Sequence, residues 1–325
     1  MKAAYLNSPG GPEVIVYGDL PDPVPGPGQV LVRMRATTVN HVDTIWRSGI
    51  RPYFKIVAPH VLGIELAGEI AGLGEGVTSF KIGDRVVGRP TTGAYAELAV
   101  ADVSEVVKLP DTVSFEDGAG LGTTGPIAWR AVVRVAQVRA GEAVLITAAA
   151  SGTGSVMVQI AKAAGAFVIG TAGGQRKLDV VRSVGADAVI DHYEEDVAAR
   201  IKEITDGRGI DAAIDATCSA PLVNAVIEGL RPGGRLAIYG NMASPELTLN
   251  VRNTFFKGVK VMGVQGGDPA QVEAEREGDL IGMLRLAADG KIKLVKDKIM
   301  PLSDAAEAHR LMESHASGGK LILTS

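Results

Sequence analysis

The stretch TAAASGTGSVMVQIAKAAGA, Thr147 to Ala166, holds the residues most suited to chemistry. An apolar run ends in Ser151, Gly152, Thr153 and Gly154, and a helix-like run comes next. Glycines at such a turn let backbone approach a pyrophosphate, whose charge then rests on amides at a helix N-terminus. The spacing departs from G-x-G-x-x-G, because Ala149 stands where a first glycine is expected. A strand-to-helix turn with no ligand also uses glycine, so the loop gains its meaning from the β-α runs beyond it. The next apolar run leads into VIGTAGGQRKLD, which has no acid between Val168 and Leu178. Instead Arg176 and Lys177 follow Gly173 and Gly174. A ribose 2′-hydroxyl usually meets an acid here, whereas a 2′-phosphate calls for cations. The pattern predicts NADPH over NADH, the alternative being incidental bases at a solvated helix start.

These residues need a strand that delivers the loop and a helix that receives it. AVLITAA reads as the strand, and GSVMVQIAKAAGA as the helix, with Val156, Ile160 and Ala163 at helical spacing. The alternation continues. FVIGTA, DAVIDH, IDAAIDAT and RLAIYG read as strands, and GQRKLDVVRSVGA, EDVAARIKEITDGRG and APLVNAVIEGLRPGG as helices. Strand alternating with helix predicts a doubly wound parallel sheet over 122–267. Residues 1–121 differ. Pro/Gly turn clusters separate short apolar runs such as Val30 to Ala36, which predicts a compact, mostly β unit. Residues 268–325 hold one or two helices and end in GGKLILTS, a late strand. No internal repeat or low-complexity tract is present.

Composition narrows the classes. The 325 residues suffice for two domains with sizeable cores. A formal net charge of -4 speaks against nucleic acid or an anionic membrane as main partner. One cysteine, Cys218, permits neither an intrachain disulfide nor a thiolate zinc cage. The start lacks a long apolar core, so a cytoplasmic protein without a signal peptide is expected. Ala143 to Ala161 is uncharged and nearly long enough to span a bilayer, but its middle, AAASGTGS, is small and polar. A strand, a turn and a helix start suit it better. No tyrosine is followed four residues later by lysine, and the glycine loop lies mid-chain, which rejects a short-chain reductase.

The sequence resembles the medium-chain dehydrogenase/reductase superfamily, within its zinc-independent quinone oxidoreductase (zeta-crystallin-like) branch. The likeness spans nearly the whole chain. It is carried by VLVRMRATTVNHVDTIWRSG, GIELAGEIAGLGEGVTSFKIGDRVVG, GAYAELAV, AAASGTGSVMVQIAKAAGA, GADAVIDH and LRPGGRLAIYG. It implies a GroES-like, mostly β catalytic domain built from both chain ends, and a Rossmann nucleotide domain in the middle. It also implies a homodimer, often formed by sheet extension between nucleotide domains.

Zinc-dependent members carry Cys where this chain has Asn40, and His where GIE places Ile64. An aliphatic side chain cannot ligate a metal, and an amide is a poor zinc ligand. Glu65 remains, but one carboxylate does not make a site. His41, His60, His192, His309 and His315 show no metal spacing, and His309 and His315 are expected on an exposed helix. No metal is therefore expected, which disfavours alcohol oxidation, because an alkoxide needs a Lewis acid. A quinone or an activated enone is already electrophilic and takes hydride from NADPH without one. Asn40 is expected near the nicotinamide, able to donate to a substrate carbonyl; a structural turn amide is the alternative. Family tyrosines are replaced by Ile45 and Arg51, and Tyr53 is a possible stand-in. A family threonine corresponds to Ile127, for which Thr124 or Thr123 could compensate. His192, Tyr239, Gly240 and Val264 are expected along the cofactor, beyond the strand C-termini. The alternatives are an enoyl thioester reductase of the same superfamily, or a non-catalytic NADPH-binding protein.

Overall fold

The computed structural model describes residues 1–50, 56–240, 244, 246–314 and 317–325. They form two compact units. One takes Met1–Thr124, Leu280–Ala288 and Lys296–Ser325, the other Gly125–Asp279 and Asp289–Val295.

The first unit starts with β1 (Lys2–Leu6), β2 (Ile15–Asp19) and the long β3 (Gln29–Val39). Next come α1 (His41–Ser48), β4 (His60–Val61), β5 (Leu66–Leu73), β6 (Arg85–Gly88), β7 (Leu98–Asp102), β8 (Val106–Lys108) and α2 (Phe115–Leu121). In β3, Val30, Val32, Met34 and Ala36 alternate into the core, as the period of a half-buried strand requires. They pack with Leu66, Ile70, Val86 and Ala99. The helix α1 has no clear signature in the sequence. It starts where Asn40 gives its backbone N–H to Asp43 Oδ2 (2.8 Å) and stops at Gly49, whose φ of 69° is left-handed.

The second unit opens with α3 (Thr124–Trp129), whose first residue belongs to the first unit, and a π-helical turn, Arg130–Val135. Its strands are β9 (Ala143–Ile146), β10 (Phe167–Ala172), β11 (Ala188–Asp191), β12 (Ile210–Asp215), β13 (Leu230–Ile238) and β14 (Lys260–Gly263). The intervening helices are α4 (Gly152–Ala163), α5 (Gln175–Ser183), α6 (Val197–Ile204), α7 (Ala220–Gly229) and α8 (Val251–Lys257), and α9 (Pro269–Ala288) comes next. The sheet order is β11-β10-β9-β12-β13-β14, every pair parallel. That is a doubly wound sheet, and its order reverses between β9 and β12. Strand β9 is buried along its length, as a parallel strand covered on both faces must be. The uncharged window from Ala143 to Ala161 is thus a strand, a loop and a helix. Among the described residues no helix is long and apolar enough to cross a membrane.

The chain then returns to the first unit through β15 (Lys296–Pro301), α10 (Ala305–Glu313) and β16 (Lys320–Thr324). Strand β16 pairs antiparallel with β3, placing Leu321 opposite Val39 and Ile322 opposite Thr38. That register sets Lys320 beside the end of β3.

Candidate active site

The glycine loop leaves β9 at the point where the sheet order reverses. Thr147 anchors it: its Oγ1 donates to Asp215 Oδ1 (2.7 Å) and accepts from the Ala216 N–H (3.0 Å). Ala148 makes the turn with a φ of 46°, in the region glycine normally fills. The missing first glycine is therefore replaced by a strained alanine, one residue before the position the spacing suggests. Ser151 caps α4, its Oγ accepting from the Gly154 N–H (3.0 Å). A Cβ on Gly154 would collide with the Ala148 carbonyl oxygen, so the close approach of helix to loop requires glycine. The ladder of α4 opens with the Ser155 N–H on Ser151 O (2.9 Å). The amides of Gly152 and Thr153 precede it, at the positive end of the helix.

Tyr239 and Gly240 close the same end of the sheet. Burial pushes the Tyr239 phenol up, while the nearby Ser151 and Thr153 side chains act in the opposite direction. A Cβ on Gly240 would strike the carbonyl of Ala216. The Gly240 carbonyl accepts from Cys218 Sγ (3.0 Å), and burial raises that thiol above its ordinary range.

Gly173, Gly174, Arg176, Lys177 and His192 come together at the ends of β10 and β11. Gly174 has a φ of 83°, and α5 begins one residue later, with Arg176 and Lys177 in its first turn. Arg176 is exposed and Lys177 half-buried. Asp191, in the GADAVIDH stretch, accepts from the amides of Gly174 and Tyr193 (both 3.0 Å) and so fixes the glycine turn. His192 has its Nδ1 buried without a hydrogen-bond partner among the described residues. Burial lowers its pKa, with Asp191 and Lys177 pulling in opposite directions. Val264 follows β14. Its N–H donates to Ile238 O (2.9 Å), and its carbonyl accepts from Arg130 Nε (2.8 Å). A carbonyl has a second lone pair, so Val264 keeps one acceptor site. A glycine cradle that a Cβ would fill, helix-end amides and an orphaned imidazole nitrogen fit a dinucleotide.

In the first unit, Glu65 is the hub of a buried polar cluster at the start of β5. Its Oε1 accepts from the amides of Thr123 (3.0 Å) and Thr124 (2.8 Å). Its Oε2 accepts from Asn40 Nδ2 (2.9 Å), Lys320 Nζ (2.9 Å) and Thr38 Oγ1. Lys320 also donates to Asn40 Oδ1 (2.6 Å). Burial alone would raise the Glu65 pKa; the Lys320 charge and the hydrogen bonds outweigh it and hold the carboxyl at about 2. Asn40 is committed at both ends. Its second Nδ2 bond, to Thr38 Oγ1 (3.1 Å), would have to open for the amide to donate to a substrate. Lys320 stands in the sequence as an ordinary strand lysine, and nothing local marks it. Among the described residues no three His, Cys, Asp or Glu are grouped to hold a metal. Tyr53 and His315 lie outside the described residues.

A second buried cluster corrects the expectation for His309. The residue is 0% exposed, because α10 turns this face onto the first unit's core. Its Nε2 lies 3.3 Å from Tyr95 Oη and its Nδ1 3.4 Å from Arg47 Nη1. Burial, then the Arg47 charge, lowers its pKa to about 3. Tyr95 Oη also reaches Asp43 Oδ2 (3.4 Å), and burial raises the Asp43 carboxyl to about 7.

Comparison with known proteins agrees with this architecture. A family model described as alcohol dehydrogenase GroES-like domain matches residues 26–111, and one described as zinc-binding dehydrogenase matches 152–281. The quinone oxidoreductase of Sus scrofa is 36% identical over 99% of this chain and 97% of its own. The 2-haloacrylate reductase of Burkholderia sp is 32% identical over 99% and 98%. Among solved structures, an NAD-dependent alcohol dehydrogenase is 33% identical with a TM-score of 0.90, covering 100% of both chains. The Escherichia coli quinone oxidoreductase complexed with NADPH is 30% identical with a TM-score of 0.88, again over 100% of both. With a nicotinamide-type cradle in one unit, a GroES-like barrel in the other and such full-length likeness, the chain belongs to the quinone oxidoreductase branch of the medium-chain dehydrogenase/reductase superfamily, and it is an oxidoreductase.

Proposed function

We propose that this protein reduces a quinone or an activated enone with NADPH and without zinc. The observation that carries the reading is the Lys320 ammonium, bonded to Asn40 and Glu65. Asn40 and Ile64 stand at positions where zinc-dependent relatives have ligands. The one carboxylate left among them is neutralised by an internal cation. Such a cluster offers no Lewis acid for an alkoxide, which leaves acceptors that are electrophilic unaided.

When bound, the cofactor supplies a hydride. The chain's own work is to hold it and to orient the acceptor. Gly152, Thr153 and Gly154 receive the pyrophosphate at the end of α4, while Ser151 and Tyr239 steady the loop. Arg176 and Lys177 recognise the 2′-phosphate, and His192 borders the adenosine side. Thr124 serves the nicotinamide, and Asn40 the acceptor. The names of the curated relatives support both acceptor classes: quinones directly, and haloacrylate as an activated C=C bond. The second of these keeps the enoyl thioester reductase reading in play.

We further infer a homodimer. Among the described residues strand β14 is an edge of the six-stranded sheet, with no further strand on its outer side. Helix α8, which precedes it in the chain and packs against β13, exposes Phe255 (74%) and Phe256 (76%), a large apolar surface.

The test is oxidation of NADPH and NADH by chelator-treated protein, with 1,4-benzoquinone, 9,10-phenanthrenequinone, a simple enone and an aldehyde as acceptors. Quinone or enone turnover with NADPH, undiminished by chelation, is expected. NADPH binding without turnover of any acceptor would sink the catalytic reading. A preference for NADH would overturn the 2′-phosphate assignment alone.

A further inference from the structure

We propose that the buried Lys320–Glu65 pair is a positioning device that sets Thr124 and Asn40 relative to each other. The proposal rests on the reading above, in which those two residues serve the nicotinamide and the acceptor.

Glu65 divides its oxygens between two elements. One oxygen holds the amides of Thr123 and Thr124, at the entry to α3. The other holds Asn40 and Thr38, at the end of β3. A neutral acid cannot do this, because one oxygen would become a donor aimed at groups that already donate. The carboxylate must stay ionised while fully buried, and Lys320 is the cation that allows it: Glu65 is 0% exposed and Lys320 4%. Lys320 also fixes which way the Asn40 amide faces. Its bond to Oδ1 turns Nδ2 toward Glu65 and Thr38. The pair is long-range: Lys320 comes from β16, which is threaded beside β3 by the Leu321–Val39 register. The partners of Lys320 come from three places: Thr38 on β3, Asn40 at the cap of α1 and Glu65 just before β5.

The experiment compares three variants with the full-length wild type. Lys320→Met leaves Glu65 unpaired and is expected to lower the unfolding midpoint. The double variant Glu65→Gln with Lys320→Met removes both charges and leaves no buried ion unpaired, so it is expected to be more stable than Lys320→Met alone and to fold. Glutamine has a single acceptor oxygen and cannot serve both sides. In the double variant, kcat with 9,10-phenanthrenequinone should fall about tenfold or more, as expected for displaced reacting groups. KM for NADPH should stay within about threefold, because the glycine loop is untouched. Amide exchange of the cofactor-free protein should quicken at 122–126 and not at 152–161. Lys320→Arg should restore most of kcat. A folded double variant with wild-type kcat overturns the proposal, as does faster exchange spread evenly through both units. If the wild type reduces no acceptor, the proposed function fails, while the exchange pattern still decides whether the pair positions Thr124.

Discussion

Arg176 and Lys177 lie in the first turn of α5, where a 2′-phosphate would meet them. A hydrogen bond to a charged group contributes about 1.5–3 kcal/mol, so replacing either one by alanine should raise KM for NADPH roughly 10- to 100-fold, and replacing both should raise it further. KM for NADH should barely change; equal losses for both cofactors would refute the assignment. Asp43 and His309 make a second residue-scale prediction. Asp43 binds its proton up to about 7 when folded, against 3.8 ordinarily. The folded state therefore holds more protons, and this contribution is full below 3.8 and lost as pH rises toward 7. His309, lowered from 6.5 to about 3, binds fewer protons when folded, so its contribution rises with pH across that window. The two slopes oppose each other between about 4 and 6.5. Asp43→Asn should make the thermal midpoint climb more steeply with pH there, and His309→Gln should make it fall. Below 4.5 both variants should keep the acid loss set by Glu65, whose carboxyl sits at about 2. A thermal-melt series in one buffer set measures all three.

At the scale of elements, the turn from β9 to α4 decides whether the phosphates find a seat. Gly154→Ala drives a methyl into the Ala148 carbonyl. Overpacking of this kind costs about 1–3 kcal/mol, and the helix end must move away from the loop. NADPH affinity, read by fluorescence titration, should fall at least about tenfold while the melt shifts by only a few degrees. Ala148→Gly should be tolerated, since relief of a φ of 46° offsets the added freedom of the unfolded chain. Unaltered binding by Gly154→Ala would mean that the loop does not cradle the phosphates. Strands β9 to β13 of the second unit are legible in the sequence because each holds an apolar run bounded by turn residues; the short β14 (Lys260–Gly263) is not. Helices α1 and α8 are not. Helix α1 has charged and polar residues at Asp43, Thr44 and Arg47 on its buried face, which breaks the apolar period that marks a helix. Helix α8 has no buried residues, and its apolar side chains point outward.

For the whole molecule, the open edge at β14 bears on assembly. Val261 is 39% exposed on that edge, and Phe255 and Phe256 are exposed on α8, which directly precedes β14 in the chain. Phe255→Glu with Phe256→Glu should convert a dimer to monomer by light scattering, with each monomer's fold retained by circular dichroism. A monomeric wild type would remove the inference.

The glycine loop, the alternation that builds the doubly wound sheet, and the basic pair after β10 are local features, and the sequence by itself determined them. Each is a short pattern whose physics acts between near neighbours: helix-end amides, buried parallel strands, cations in a first helical turn. Tertiary structure alone decided the rest. It brought Lys320 to Glu65 across 255 residues and made Asn40 a committed amide. It buried His309 against Tyr95 and Arg47. Strand register and helix docking set those contacts, and both depend on long-range packing, which no window of neighbouring residues encodes.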